Sequence, residues 1–507
     1  MSPVHARITT DPSLALADVD DRVFGSFVEH MGRCVYDGIH SPEHPGSDSD
    51  GFRHDVAEVV RELGPTILRY PGGNFVSGYD WMDGIGPREE RPTRLDLAWR
   101  SLETNQVGTD EFIRYCRLVQ AEPMMAVNLG TAGVKEAAAL VEYCNVAGGT
   151  RWSDLRRAHG SSEPHAVKVW CLGNEMDGPW QLGHKEAEDY GRLAAQAALA
   201  MRRVDPSIEL VACGTSKPIM PTFGNWEATV LRHTYHLVDH ISLHMYVDPE
   251  IQPDRQTFLA AGVDIDDYVE SVVASVDYAR AVGRHARRMS LSFDEWNVWY
   301  NSRPRPIGEW PHAPRLIEDT YTLADALVVG SFLNSILRHA DRVKMACLAQ
   351  LVNVIAPIRT VPGSGEIWRQ STFYPFALVA RHGRGGTSLH TGVSSPRHDT
   401  ARHEGVPDLD VATVWHEDRE ELVLFVVNRS LERSLPLEID LPWLARGAEL
   451  CVEVTTLSGP DLDAVNGPEK PDNVVPSTTA PVVLSAGEPG VEVPAASWSM
   501  LRVRRVQ

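Results

Sequence analysis

Eight short apolar runs alternate with segments of helical pattern between residues 22 and 350. This alternation constrains the fold of the 507-residue chain more than any other feature. The runs cover residues 22–27, 66–70, 123–129, 167–172, 208–213, 240–244, 289–293 and 344–350. Helical periodicity occupies 55–63, 109–119, 135–145, 185–204, 266–282 and 319–340, with acidic residues such as Asp110 and Glu111 in first turns, where the helix dipole favours them. Eight strands, each followed by a helix-compatible stretch, are the count of a (β/α)8 TIM barrel. A doubly wound sheet usually has fewer strands and often a glycine-rich phosphate turn. Pro71-Gly72-Gly73-Asn74 lacks the spacing of such a turn, so no dinucleotide is expected.

Beyond His382 the texture changes. Short alternating runs at 411–415, 421–427, 434–439, 450–456, 482–484 and 497–503 are separated by Gly, Pro, Asp and Asn, with no long helical pattern. They predict a C-terminal antiparallel β-sandwich of jelly-roll-like kind, with 461–476 as a long exposed loop. The expected division is a segment 1–20 that adds to the sandwich, a catalytic barrel 21–381 and the sandwich 382–507.

Net charge is −21, with no sustained basic run, which argues against nucleic acid as a partner. No stretch approaches the roughly 18 apolar residues of a membrane span. Residues 1–21 lack the basic and apolar regions of a secretory signal. The seven cysteines are scattered and show no Cys-x-x-Cys pair or zinc spacing. A cytoplasmic protein without metal or other cofactor is the expectation.

The strand ends carry the chemistry. Val167 to Leu172 is an apolar run that stops at Gly173, and Asn174-Glu175 follows at once. Asn and Glu are poor strand formers, so their place at a strand end asks for another reason. A second such ending is Asp294-Glu295-Trp296. In a barrel the C-terminal strand ends face one bowl. The bowl would gather Glu29, Arg69, Asn74, Asn174, Glu175, His244, Tyr246, Glu295 and Gln350. A core would not accept so many polar groups unpaired. Strands four and seven face each other, so Glu175 and Glu295 form a candidate retaining pair, which needs carboxyls roughly 5–5.5 Å apart. An arginine would keep the nucleophile ionised, whereas the acid would hold its proton in a less polar setting near Trp180. Asn174 would bond the sugar 2-hydroxyl.

Each residue also has an ordinary structural explanation. A lone strand-end Glu is commonly a surface carboxylate, and a lone His244 a buried, hydrogen-bonded histidine. Trp81, Trp180 and Trp299 serve equally as core aromatics or as stacking platforms for sugars. His40, His44 and His54 sit in a Pro/Gly/Asp-rich loop with little claim to a metal. Asn428-Arg429-Ser430 matches a glycosylation acceptor but reads as a turn.

Six motifs in order resemble glycoside hydrolase family 51: Phe24 to His30, Arg69 to Phe75, Gly173 to Trp180, Ser242 to Tyr246, Asp294 to Tyr300 and Ala349 to Pro357. The resemblance spans about residues 20–380 and implies an exo-acting α-L-arabinofuranosidase of clan A. Carried over by position, it implies Glu175 as acid/base and Glu295 as nucleophile. Glu29, Arg69, Asn74, Asn174, His244, Tyr246 and Gln350 would surround one terminal furanose, with Trp180 and Trp299 beside it. It further implies arabinofuranosyl oligosaccharides as substrates, retention of configuration and a homo-oligomer such as a hexamer. Val107 and the segment Val247-Asp248-Pro249 depart from the family pattern near the expected entrance. Alternatives are another clan A activity, such as a β-xylosidase or endoglucanase, or a non-catalytic carbohydrate-binding protein.

Overall fold

The computed structural model describes residues 5–303, 308–485 and 487–506. Eight strands close into a barrel: β1 (Gly25–Phe27), β2 (Ile67–Tyr70), β3 (Glu122–Ala126), β4 (Val169–Leu172), β5 (Glu209–Ala212), β6 (His240–Val247), β7 (Ser290–Val298) and β8 (Val343–Leu348). All neighbours pair in parallel, and β8 closes on β1. Strands buried on both faces read as unbroken apolar runs, and β4 is the plainest case: all four of its residues are buried. A helix follows every strand, in order His54–Leu63, Thr109–Val119, Val134–Asn145, Ala187–Val204, Asn225–Thr234, Ala261–Gly283, Leu323–Arg338 and Phe373–Gly383.

Two of these helices escape the sequence pattern. Asn225–Thr234 is short and starts at Gly224, whose N–H is satisfied by Glu227 at 2.8 Å. Phe373–Gly383 carries Pro375 in its first turn, where the missing N–H costs nothing. The first strand is shorter than expected. Asp20 accepts from the Arg22 N–H at 3.0 Å and starts a 3-10 turn over Asp21–Phe24, so extended backbone begins only at Gly25.

The C-terminal strands form two sheets. The larger includes Thr387–Leu389, Leu409–His416, Glu421–Asn428, Ser497–Arg505 and Leu450–Leu457, paired antiparallel in that order, with Ala15–Asp18 on its edge. The smaller is ordered Gly392–Ser394, Ala6–Thr9, Leu435–Asp440 and Pro489–Val493. Within it Ala6–Thr9 runs parallel to Leu435–Asp440, the exception to the antiparallel pattern. Glu421–Asn428 is buried along its whole length because it faces two cores. Leu422, Leu424 and Val426 pack between the sheets, while Val423, Phe425 and Val427 join the barrel core. The segment 461–476 is not simply an exposed loop. Ala464 and Leu462 carbonyls accept from Leu323 and Ala324 at 2.9 and 3.1 Å, so the segment covers the start of Leu323–Arg338, and Asn466 is buried beneath it.

Candidate active site

The polar strand ends meet in one cavity of about 200 Å³, lined by Glu29, Asn74, Glu175, Trp180, Tyr246, Glu295, Trp299 and Gln350. That is below the ~300–1,000 Å³ of pockets for larger ligands, a size for one sugar ring rather than a run of them. Arg69, Asn174 and His244 are not among its lining residues: Arg69 and His244 hold Glu295 and Glu175 from behind, and Asn174, next to Glu175 in the chain, is itself held by Arg69.

The backbone explains how the two glutamates reach the bowl. Past β4 the chain turns through Gly173 at φ +92°, and Glu175 itself adopts φ +44°, a left-handed conformation rare for a side-chain-bearing residue. On β7 an extra residue interrupts the register. Ser242 pairs with Ser292 but His244 with Glu295, and on the other side Phe293 pairs with Ala346 but Trp296 with Leu348. This bulge breaks the in-out alternation, so consecutive residues Asp294 and Glu295 both face Arg69. Glycines make room at the opposite wall. A Cβ on Gly73 would lie 2.4 Å from the Glu29 carboxylate.

Each carboxylate has its own partners. Glu295 accepts from Arg69 Nη1 at 2.8 Å and from the Tyr246 hydroxyl at 2.8 Å. Arg69 is buried, donates through Nη2 to Asn174 Oδ1 at 2.6 Å, and holds its Nε 3.7 Å from Asp294. Glu175 lies 2.9 Å from His244 Nδ1 and accepts from Trp180 Nε1 at 2.6 Å. The same His244 nitrogen is 3.7 Å from Glu295. Oxygen atoms of Glu175 and Glu295 thus approach within 4.8 Å of each other. Among the described residues this trio is the one group of converging metal-type donors, and its atoms are already engaged by Arg69, Tyr246, Trp180 and one another.

The electrostatics correct one expectation. Burial alone raises the Glu175 carboxyl, but the hydrogen bond and charge of His244, then Trp180 and Lys217, outweigh it and leave Glu175 below its usual range. Trp180 therefore stabilises the carboxylate instead of protecting a proton. Burial likewise lowers His244, yet the charges of Glu295 and Glu175 raise it overall. The two groups face each other across 2.9 Å and titrate as a pair. Glu29 behaves oppositely: burial, offset in part by the Phe75 N–H and reinforced by Glu295, pushes it up to about 8. It accepts from Phe75 N and Trp99 Nε1, both at 2.9 Å, and from Gln350 Nε2 at 3.2 Å.

Two family models match consecutive parts of the chain, the α-L-arabinofuranosidase 1 domain over residues 59–287 and the α-L-arabinofuranosidase C-terminal domain over 294–497. An intracellular exo-α-(1→5)-L-arabinofuranosidase of Streptomyces lividans is 53% identical over 98% of this chain and 75% of its own length. An exo-α-(1→6)-L-arabinofuranosidase of Bifidobacterium longum is 50% identical over 99% and 97%. A solved family 51 α-L-arabinofuranosidase from Bifidobacterium longum superposes with a TM-score of 0.91 at 43% identity, covering 99% of this chain and 100% of its own. The chain belongs to glycoside hydrolase family 51. Another solved relative, the Thermotoga maritima α-L-arabinofuranosidase in complex with arabinose, gives 0.87 at 34% identity over 98% of this chain and 99% of its own.

Several residues of this family 51 site lie outside the sequence reading. Trp99 comes from a hairpin, Arg94–Asp96 with Ser101–Glu103, too short to show a period. Lys217 follows β5, and Phe27, Met31, Asn301 and Ile355 complete the wall. Asp294 was legible as the neighbour of Glu295, but only the bulge turns it inward. Trp81 is not a wall of this site. It packs on Tyr143 and Trp152 and lines a separate cavity of about 440 Å³ with Met82, Asn128 and Leu140. Val107 is buried, away from the cavity wall, and His40, His44 and His54 do not converge on a common point. Asn428 is buried, its amide tied to the Arg433, Val493 and Pro494 carbonyls.

Proposed function

We propose that in this exo-acting α-L-arabinofuranosidase Glu295 is the nucleophile and Glu175 the acid/base of a double displacement. The observation that carries this reading is the unequal partnering of two carboxylates whose oxygens lie within 4.8 Å. That closeness suits a retaining pair, because an inverting one leaves roughly 6.5–9.5 Å for a water. Arg69 and Tyr246 keep the Glu295 charge on the oxygens that attack the anomeric carbon. Glu175, drawing on the His244 proton, protonates the departing oxygen and then takes a proton from the incoming water. The Asn174 Oδ1 is fixed by Arg69, whereas its buried Nδ2 has no protein acceptor among the described residues, which suits a bond to the sugar 2-hydroxyl. Gln350 Oε1 is likewise unpartnered and is positioned to accept from another hydroxyl.

The substrates are terminal α-(1→5)-linked arabinofuranosyl groups of oligosaccharides, acted on inside the cell. The names of the relatives from Streptomyces lividans, Acetivibrio thermocellus and Bacillus subtilis support this, at 49–53% identity. The α-(1→6) enzyme is equally similar, so linkage is set by side chains around the cavity rather than by overall likeness. Self-association into a homo-oligomer is part of the same reading, measured by sedimentation.

The test is chemical. Glu295→Ala abolishes release from an aryl arabinofuranoside, and azide restores it with a product of inverted configuration. With Glu175→Ala, azide instead yields a retained product. Activity near wild type in Glu295→Ala would remove it as nucleophile. Product analysis on α-1,2-, α-1,3-, α-1,5- and α-1,6-linked oligosaccharides settles the linkage.

A further inference from the structure

The catalytic cavity is lined by one cation, Lys217, whose charge favours the Glu175 carboxylate but which bonds neither glutamate among the described residues. Lys217 follows β5 in the segment Thr215-Ser216-Lys217-Pro218 and lines the cavity on the Glu175 side. The two residues before it are pinned. Ser216 donates its N–H and its hydroxyl to Asp177 at 3.2 Å, and the Thr215 N–H donates to Glu227 at 2.7 Å. The Lys217 ammonium sits 4.2 Å from the centre of the Trp180 ring and makes no ion pair among the described residues. Trp180 in turn is locked by its Nε1–H bond to Glu175, and the absence of a side chain at Gly178 is what admits its ring, since a Cβ there would lie 2.5 Å from the indole. The ring is 38% exposed, so the Trp180–Lys217 pair stands at the mouth, directly outside the acid/base.

An acid/base must face the glycosidic oxygen, so the alcohol it releases departs past this pair. An ammonium held over an indole face keeps N–H donors free for hydroxyl and ring oxygens. We propose that Lys217 is the specificity-determining residue for the leaving sugar, donating hydrogen bonds to the alcohol released on the Glu175 side. Its ligand class is a neutral polyhydroxy alcohol, whereas a 4-nitrophenyl aglycone has no hydroxyl or ring oxygen to receive its hydrogen bonds. With Lys217 covering the Trp180 face, recognition there works by donation to oxygen more than by stacking on the ring. The proposal rests on Glu175 being the acid/base.

The experiment compares kcat/KM on an α-(1→5)-linked arabinobiose and on 4-nitrophenyl α-L-arabinofuranoside for Lys217→Met and Lys217→Arg, with Tm as the folding control. Lys217→Met lowers the disaccharide value about tenfold more than the aryl value, the scale of a lost charged hydrogen bond, and Lys217→Arg restores most of that ratio. Equal losses on both substrates, or no change in the ratio, overturn the proposal. Glu175→Ala in the same assay separates the underlying reading: a far greater loss on the disaccharide supports the acid/base role. Equal losses in that variant overturn the role itself, and with it the leaving side that Lys217 is assigned to.

Discussion

The proton for the departing oxygen is shared across 2.9 Å between His244 Nδ1 and Glu175 Oε1. With Glu175 below its ordinary 4.5 and His244 above its ordinary 6.5, the pair carries one proton between those values and loses it only above the imidazole's usual range. The alkaline limb of kcat/KM therefore reports the pair, not a lone carboxyl. In His244→Gln the carboxyl becomes the sole carrier, with Trp180 and Lys217 still favouring its charged form. The alkaline limb then moves to lower pH, and kcat/KM at pH 7 falls at least about tenfold. A pH profile that keeps its alkaline limb in this variant would show that the proton comes from elsewhere. Arg69 makes a second residue-scale prediction. Its fork reaches Glu295 and Asn174 at once, which a lysine cannot do. Arg69→Lys lowers kcat about a hundredfold, with Tm as the folding check, because both nucleophile and 2-hydroxyl partner lose their fix.

At the scale of elements, the barrel was more legible than its exceptions. Apolar runs buried on both faces announce parallel strands, and all eight were readable from the alternation of such runs with helical segments. The ends of β6 and β7 were not. Ser292-Phe293-Asp294-Glu295 breaks alternation, so the apolar run stops at Phe293, whereas the strand continues to Val298 through its bulge. A bulge is a matter of register, which a single strand's sequence does not carry. The hairpin of Trp99 was hidden because it owes its place to tertiary bonds. Glu103 accepts from the Tyr36 hydroxyl and from Asn105 N and lies 2.8 Å from His30 Nδ1, while His30 Nε2 meets the Tyr70 hydroxyl at 2.8 Å. This buried chain ties the hairpin to the loop after β1 and to β2, and so sets the indole that donates to Glu29. Glu103→Gln weakens the anchor. KM rises with a smaller loss in kcat, and hydrogen exchange quickens across residues 94–103. If exchange there stays as in the wild type, the hairpin is held by other contacts.

At the scale of the molecule, two textures in the sequence became one packed body. The change near residue 382 was legible, but not that Glu421–Asn428 would serve both parts. Its sequence is apolar at nearly every position, which is how burial on two faces looks without knowledge of the second partner. Leu323–Arg338, behind β7, is buried along almost all of its length, between the barrel wall on one side and Val423, Phe425, Val427 and Trp498 on the other. No water-facing layer separates the sheets from the strand that carries Glu295, so the two parts should unfold together. Phe425→Ala opens the barrel-facing side at a cost of about 3–5 kcal/mol. Leu424→Ala opens the inter-sheet side at about 2–5 kcal/mol. Both variants lower Tm, and activity disappears in the same single transition seen by circular dichroism. The Leu424 variant is the sharper of the two, because its side chain touches only the sheet core. A first transition that leaves activity intact, followed by a second that removes it, would mean that the sheets melt independently of the barrel they cover.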